Sequence, residues 1–419
     1  MKLRSAVPVL MATLAACAAD GPAAGPRVST ADSAGIEVTE VTGLDLSLLP
    51  QWRLADQPLV HIGEVDGAEE YTFGRITGGL FLRGGQLVVV DGQTQTLSVY
   101  DGDGTFVRRL GGRGNGPGEF ANAWRLRATG PTSFAVYDAR LSRITSFDLA
   151  TGNTDTRPVE LNDCALPELT GASPFCQGID LLAGGELLVV SGIQSAAGQS
   201  PTNFTIEEIE PRPRFLGLIA GASVVALDTV HLEPWTNVHD QGWLWFFPTP
   251  FYVTEKWAAG QDRVVNVRDE PFELRTWSSA GDLQRIVRID LPRAPRTEAH
   301  TAAMTAAIEA GDNAILQRYI EEAEWRATVP HFRAAVLDAA GRTWLEDYWP
   351  DIDGLGAPAP SWWTVLDTVG VPAVRIQAPV AEDILMIGDD RILIRETDEL
   401  GVHRAAVFSI EGGGSGTQS

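Results

Sequence analysis

Gln86-Leu87-Val88-Val89-Val90-Asp91 is followed, ten residues beyond its aspartate, by Tyr100-Asp101 and then by Gly104-Thr105-Phe106-Val107. The same phrase returns at Ser133-Phe134-Ala135-Val136-Tyr137-Asp138, with Phe147-Asp148 ten residues on and Thr151-Gly152 after it. A third copy runs through Arg263-Val264-Val265-Asn266-Val267-Arg268, Arg275-Thr276-Trp277 and Gly281-Asp282-Leu283-Gln284. Fainter copies are Gly185-Glu186-Leu187-Leu188-Val189-Val190, Gly341-Arg342-Thr343-Trp344-Leu345 and Arg391-Ile392-Leu393-Ile394. Each phrase reads as strand, polar turn, strand ending in an aromatic or apolar residue, glycine turn, strand. The units recur at about 40–55 residues, with centres at 76–115, 124–160, 178–220, 250–292, 331–378 and 380–411. One four-stranded sheet cannot bury both of its faces, so the units must stack around an axis. The expected fold is all-β, a six-bladed β-propeller.

Strands from Gly35 to about Ile62 are expected to complete the last blade and close the ring, which leaves no long exposed edge. A pair of β-sandwiches is the alternative architecture. One segment breaks the β pattern. Thr297 is a plausible N-cap with Glu298 after it, and apolar residues recur at helical spacing at Met304, Ile308, Ile315, Leu316, Tyr319, Ile320 and Ala323. Gly311-Asp312-Asn313 should divide this stretch into two helices. The reading is a helical insertion over about 297–327, packed on one face of the disc, with a lid or partner surface as the other use.

The chain has 419 residues and a net charge of −23. Apolar residues make up 44%, enough for a large core. A body this acidic repels nucleic acid and anionic headgroups, so nucleic acid is not an expected partner. Lys2 and Lys256 are the only lysines, and arginine carries nearly all the positive charge.

The N-terminus has its own logic. Lys2 and Arg4 form a short basic region, Ala6 to Ala16 carries no charge, and the run ends in Leu14-Ala15-Ala16-Cys17. Basic, apolar and small residues in that order are the layout of a secretory signal. The apolar run is too short for the roughly 20 residues of a membrane-spanning helix. Leu14-Ala15-Ala16-Cys17 resembles the lipobox of bacterial lipoproteins. The resemblance implies cleavage before Cys17, a diacylglycerol on its thiol, and acylation of the new N-terminus. An ordinary signal peptide beside a chance cysteine is the alternative. Ala18 follows the cysteine where an inner-membrane retention signal would have Asp, so the outer membrane is the expected site. The domain reading is a signal over 1–16, a lipidated N-terminus and tether over 17–34, the propeller over 35–411, and a Gly/Ser-rich tail over 412–419. Cys164 and Cys176 remain, either as a disulfide suited to an oxidising compartment or as two buried thiols.

Directly after the first repeat stands Gly111-Gly112-Arg113-Gly114-Asn115-Gly116-Pro117-Gly118-Glu119-Phe120. It resembles the connector of bacterial six-bladed propellers related to NHL-repeat and TolB-like proteins, and more closely that of exported propellers of unassigned function. Asp32-Ser33-Ala34-Gly35-Ile36 and Leu337-Asp338-Ala339-Ala340-Gly341-Arg342-Thr343-Trp344 are similar to the same family. The physics of the connector is structural first: glycines allow positive φ, Pro117 fixes one φ, and Phe120 can drop between blades. A phosphate cradle is the other use of such glycines, but no Gly-Lys-Ser/Thr follows.

Catalytic motifs are sparse. There is no Gly-x-Ser-x-Gly elbow and no His-Glu-x-x-His helix. The six histidines, His61, His231, His239, His300, His331 and His403, are scattered. The closest pair sits in His231-Leu232-Glu233-Pro234-Trp235-Thr236-Asn237-Val238-His239-Asp240, where a loop could bring His239 and Asp240 to a ligand or metal, beside Trp235. Asp347, Asp351 and Asp353, and Asp398 with Glu399, are carboxylate candidates that fall short of a calcium loop. The resemblance to propeller hydrolases nevertheless implies that calcium in the axial channel is an option to test. Trp235, Trp243, Trp245, Phe246 and Phe247, and Trp344, Trp349, Trp362 and Trp363, read mainly as packing between blades. Some could line a peptide or glycan site. Two functions follow: a ligand- or protein-binding scaffold held on a membrane, and a metal-dependent hydrolase or lyase with an axial site.

Overall fold

The structure, a computed structural model, describes residues 25–161, 176–191, 203–208, 213–221, 223–231, 235–252, 255–310, 313–350 and 360–412. Four short strands come first: β1 (Arg27–Ser33), β2 (Ile36–Thr42), β3 (Gln51–Leu54) and β4 (Val60–Ile62). Blade 1 is β5 (Ile76–Phe81), β6 (Leu87–Asp91), β7 (Thr96–Tyr100) and β8 (Phe106–Gly111). Blade 2 is β9 (Ala123–Ala128), β10 (Ser133–Asp138), β11 (Arg143–Asp148) and β12 (Thr154–Pro158). Blade 3 begins with β13 (Cys176–Leu181) and β14 (Leu187–Ser191), leaves the ring for β15 (Thr205–Glu208), and ends with β16 (Pro213–Ala220) and β17 (Ser223–His231). A hairpin outside the ring follows, β18 (Trp235–Asp240) and β19 (Trp243–Pro248). Blade 4 is β20 (Glu255–Ala259), β21 (Arg263–Asp269), β22 (Phe272–Ser278) and β23 (Leu283–Ile289). Two helices, α1 (Glu298–Ala310) and α2 (Ala314–Glu322), precede blade 5, which is β24 (Phe332–Leu337), β25 (Thr343–Asp347), β26 (Ser361–Leu366) and β27 (Pro372–Ala378). Blade 6 is β28 (Ile384–Ile387), β29 (Arg391–Thr397) and β30 (His403–Glu411), with β4 as its outer strand. The chain is a six-bladed β-propeller.

The repeat has a direct packing cause. The second strand of a blade is covered on both sides, so it reads as a continuous apolar run rather than an alternating one. In β6, Val88 and Val90 face Phe134 and Val136 of blade 2, while Leu87 and Val89 face Leu393 and Val407 of blade 6. All four are at most 2% exposed. Asp91 and Asp138 end the second strands of blades 1 and 2 and do the same work. Each is buried, and its carboxylate accepts backbone N–H bonds from the turn ahead and from the chain entering its own blade's inner strand, Gly74, Arg75 and Gln93 for Asp91 and Ala121, Asn122, Arg140 and Leu141 for Asp138.

Ring closure is more elaborate than expected. β4 does complete blade 6, antiparallel to β30. However, β2 lies parallel to β23 and carries β1, so blade 4 grows to six strands. β3 lies parallel to β27 of blade 5 and also pairs the end of β30. The N-terminal segment is thus a strap across blades 4, 5 and 6. Residues 27–33, expected within a tether over 17–34, are instead the strand β1. Residues 1–24 and 413–419, and with them Cys17 and most of the tail, lie outside the described residues.

Antiparallel blades separate the connections onto two faces. Turns from first to second and from third to fourth strands share a lower face and are short, as at 82–86, 101–105 and 338–342. Connections between blades, and from second to third strands, share the upper face and include every long one. β15, the β18–β19 hairpin and both helices therefore belong to the upper face. The hairpin turns on Gln241-Gly242, both at positive φ, the two-residue turn that matches strand twist. The helices fall where the periodicity placed them, with Asn313 capping α2 through a bond accepted from Leu316 N–H. They pack on the sheet β15-β18-β19: Phe247 stacks on Tyr319, whose hydroxyl lies 3.0 Å from Thr236 Oγ1.

Candidate functional site: the axial cavity

The inner strands β5, β9, β13, β20, β24 and β28 surround a cavity of about 740 Å³. Its wall mixes apolar residues, among them Trp124, Ile179, Trp257 and Met386, with the charged residues Arg125, Arg127, Asp180, Asp338, Glu382 and Arg395. Most of these charges tie the ring together. Arg127 donates to Leu181 O, to Asp180 Oδ1 at 3.0 Å and to Ala259 O at 2.9 Å, so one guanidinium spans the inner strands of blades 2, 3 and 4. Asp180 also accepts from Ala259 N–H. Arg395 of blade 6 pairs with Asp383 at 2.7 Å and donates to Ile76 O of blade 1. Glu382 pairs with Arg333, which lies 4.3 Å over the Trp349 ring. Asp338 accepts from Arg342 and from Trp344 Nε1; burial pushes its carboxyl above the usual range against the pull of those partners. Arg125 differs: its Nε donates to Ile179 O at 3.0 Å and its guanidinium lies 4.6 Å over Trp124, with no carboxylate partner among the described residues.

The residues singled out from sequence lie elsewhere. Trp235, His239 and Asp240 are on β18, a strand of the inserted sheet and not a loop. Alternation puts His239 and Asp240 on opposite faces of that strand. The His239 side chain is 13% exposed, with Nε2 3.8 Å from Glu207. His231 ends blade 3 in a different sheet. The other histidines are dispersed: His61 on Glu396, His300 at the start of α1 beside Thr297, His331 between Asp269 and Leu291 O, and His403 on Ile76 N–H. Asp347 is held by both Nη atoms of Arg375, and Asp398 closes a turn through Leu400 and Val402 N–H, so neither carboxylate is available as a calcium loop would need. Asp351 and Asp353 lie outside the described residues. Among the described residues no three His, Cys, Asp or Glu side chains converge as metal ligands.

Trp344 and Trp363 are fully buried as packing residues, but Trp243 and Trp245 correct the expectation of burial: they are 71% and 41% exposed. They share a face of β19 with Phe247, yet stand nearer the hairpin tip, beyond the cover that the helices give Phe247. The glycine-rich connector is structural. Its N–H groups at 112, 114, 116, 119 and 120 are bonded within the molecule, and Arg143 takes the carbonyls of Asn115, Gly116 and Glu119, which leaves no cradle for phosphate. Cys176 is buried at the head of β13, and Cys164 lies outside the described residues. The signal for the cavity was present as Trp124-Arg125-Leu126-Arg127, two arginines at alternating positions in a strand that the repeat places innermost.

One comparison agrees with this architecture. A family model described as a 6-bladed beta-propeller matches residues 68–171, the span of blades 1 and 2 with their connector. No curated protein matches the chain by sequence. Among solved structures, a candidate exported protein from Bacteroides fragilis is similar at 10% identity and TM-score 0.42, covering 86% of this chain and 95% of its own. Regucalcin from Agrobacterium tumefaciens, a calcium-binding protein, is similar at 11% identity and TM-score 0.36, covering 87% and 97%. Virginiamycin B lyase from Staphylococcus aureus is similar at 10% identity and TM-score 0.34, covering 86% and 99%. At these values the likenesses carry no argument about fold, ligand or activity.

Proposed function

We propose that this chain is an exported, lipid-anchored binding propeller, held by an acylated Cys17 on the outer membrane and taking its ligand in the axial cavity. The observation that carries the binding reading is the use of the cavity charges: five of the six are committed to partners that join strands or blades, around a space large enough for a small organic molecule. The anchor reading rests on Leu14-Ala15-Ala16-Cys17. Arg27 pairs with Thr42 at the upper rim of blade 4, so an anchor ahead of it would leave the ring from that face. Exposed Trp243 and Trp245 on that face suit a second contact with a protein, peptide or glycan. A Cys164–Cys176 disulfide fits the same exported setting.

The test is fractionation together with metal analysis. The wild-type chain is expected in the outer-membrane fraction and Cys17→Ser in the soluble periplasm. The purified protein is expected to carry well under one equivalent of calcium or zinc. Soluble wild type would sink the anchor. Stoichiometric metal would favour the hydrolase or lyase reading.

A further inference from the structure

The charges of the axial cavity do not cancel locally. Arg127 is matched by Asp180, Arg395 by Asp383, Asp338 by Arg342 and Glu382 by Arg333. Arg125 remains, the one cation of the cavity wall with no carboxylate partner among the described residues. This is unusual in a chain of net charge −23, where acidic groups outnumber basic ones by 55 to 32. The guanidinium is also fixed in place. Its Nε is bonded to the Ile179 carbonyl and its guanidinium carbon lies 4.6 Å from the Trp124 ring centroid, so its two terminal nitrogens are presented as a fork with no acceptor among the described residues. A fork of that kind matches a carboxylate with two parallel hydrogen bonds. Ile179 and Trp257, on the neighbouring inner strands, line the same cavity and supply an apolar wall.

We propose that the axial cavity binds an organic monocarboxylate, with the carboxylate on Arg125 and an apolar or aromatic body against Ile179 and Trp257. The assignment rests on reading the cavity as the ligand site and adds the chemical class of its occupant. Placing an anion there neutralises a partly desolvated cation, whereas a neutral or cationic molecule of the same shape leaves it unmatched. The strongly acidic surface does not forbid this, because surface charge is screened over about 8 Å at physiological salt, and the ligand is small and singly charged.

The probes are phenylacetate, phenylacetamide and phenethylamine, which share a body and differ in charge. Each is titrated into the full chain bearing Cys17→Ser, with tryptophan fluorescence and calorimetry as readouts. Phenylacetate is expected to bind at least ten times more tightly than phenylacetamide, and phenethylamine more weakly still. Arg125→Gln is expected to erase the preference for phenylacetate and Arg125→Lys to retain part of it. A melting curve for each variant confirms that the ring is folded. Equal binding of phenylacetate and phenylacetamide, or a preference untouched in Arg125→Gln, overturns the anion assignment and leaves a binding cavity. No binding of any of the three at millimolar concentration overturns both.

Discussion

His403 shows how much of the ring depends on single polar atoms. Its Nδ1 accepts the N–H of Ile76, 2.9 Å away, and so joins blade 6 to the first residue of blade 1 at the closing seam. Ile76 is fully buried, and without that acceptor its N–H would have no bond. Burial holds the imidazole below its ordinary value of 6.5; Arg395 and Arg75 push the same way, and Asp383 and Asp91 oppose them. Because the folded value is depressed, the unfolded chain binds the proton more readily. The stabilisation is present above 6.5 and is lost as pH falls through the folded value. His403→Ala should cost about 1–2 kcal/mol at pH 7.5. His403→Asn keeps an acceptor near Nδ1 and should lose less, and both variants should show less loss of stability than wild type between pH 7.5 and 5.5. Urea unfolding at the two values checks this. Glu273 acts in a lower window. Burial raises its carboxyl, but Arg288 and Arg275 more than offset that and hold it below 4.5, so its contribution is lost only on further acidification.

At the scale of elements, the connector between blades 1 and 2 is a wedge held by its own backbone. Phe120 is fully buried beside Phe147, and its N–H donates to Gly112 O. Gly111 has φ +74, and a Cβ there would stand 2.9 Å from the Phe120 ring. Phe120→Ala should cost about 3–5 kcal/mol in chemical unfolding, whereas Glu119→Gln, which keeps an acceptor for Gly116 N–H, should cost under about 1 kcal/mol. The wedge was legible in sequence because it is local: closely spaced glycines, one proline and one aromatic act within ten residues. The blades were legible for a related reason, since burial on both faces writes itself into runs such as Leu87–Asp91. The sheet β15-β18-β19 was not. The sequence reads His231–Asp240 as a loop and Trp243 and Trp245 as packing between blades, and only the pairing of Thr205 with His239 shows a separate sheet. That pairing is a long-range fact with no periodic trace. The same holds for Arg125: its residue type was visible, but the absence of a carboxylate around it depends on six strands meeting.

For the whole molecule, the strap separates two jobs that look alike in sequence. β4 is the outer strand of blade 6, pairing Val60 with Val407 and Ile62 with Ala405, all of them buried. β1 and β2 add to a blade that already has four strands. Removing residues 25–42 should leave a monomeric ring, since the uncovered edge of β23 carries Arg285 and Arg288, charges of the kind that discourage edge pairing. Removing residues 25–62 should expose the apolar edge of β30 and give dimers or larger aggregates. Size-exclusion chromatography of the two truncations, with thermal melts, separates these outcomes. Equal behaviour would mean that β4 does not close the ring.

The strap also fixes how the protein resists a pull. β1 descends from Arg27 at the upper rim and is held to β2 over seven register pairs. A force drawing the preceding residues away from that face acts along the strand's own axis. Its hydrogen bonds run across that direction, so they must shear together and cannot open one after another. Beyond them, β2 passes the force to β23 through five further pairs, into the six-stranded blade. A pull on the residues ahead of Arg27 is therefore met by strands loaded in shear.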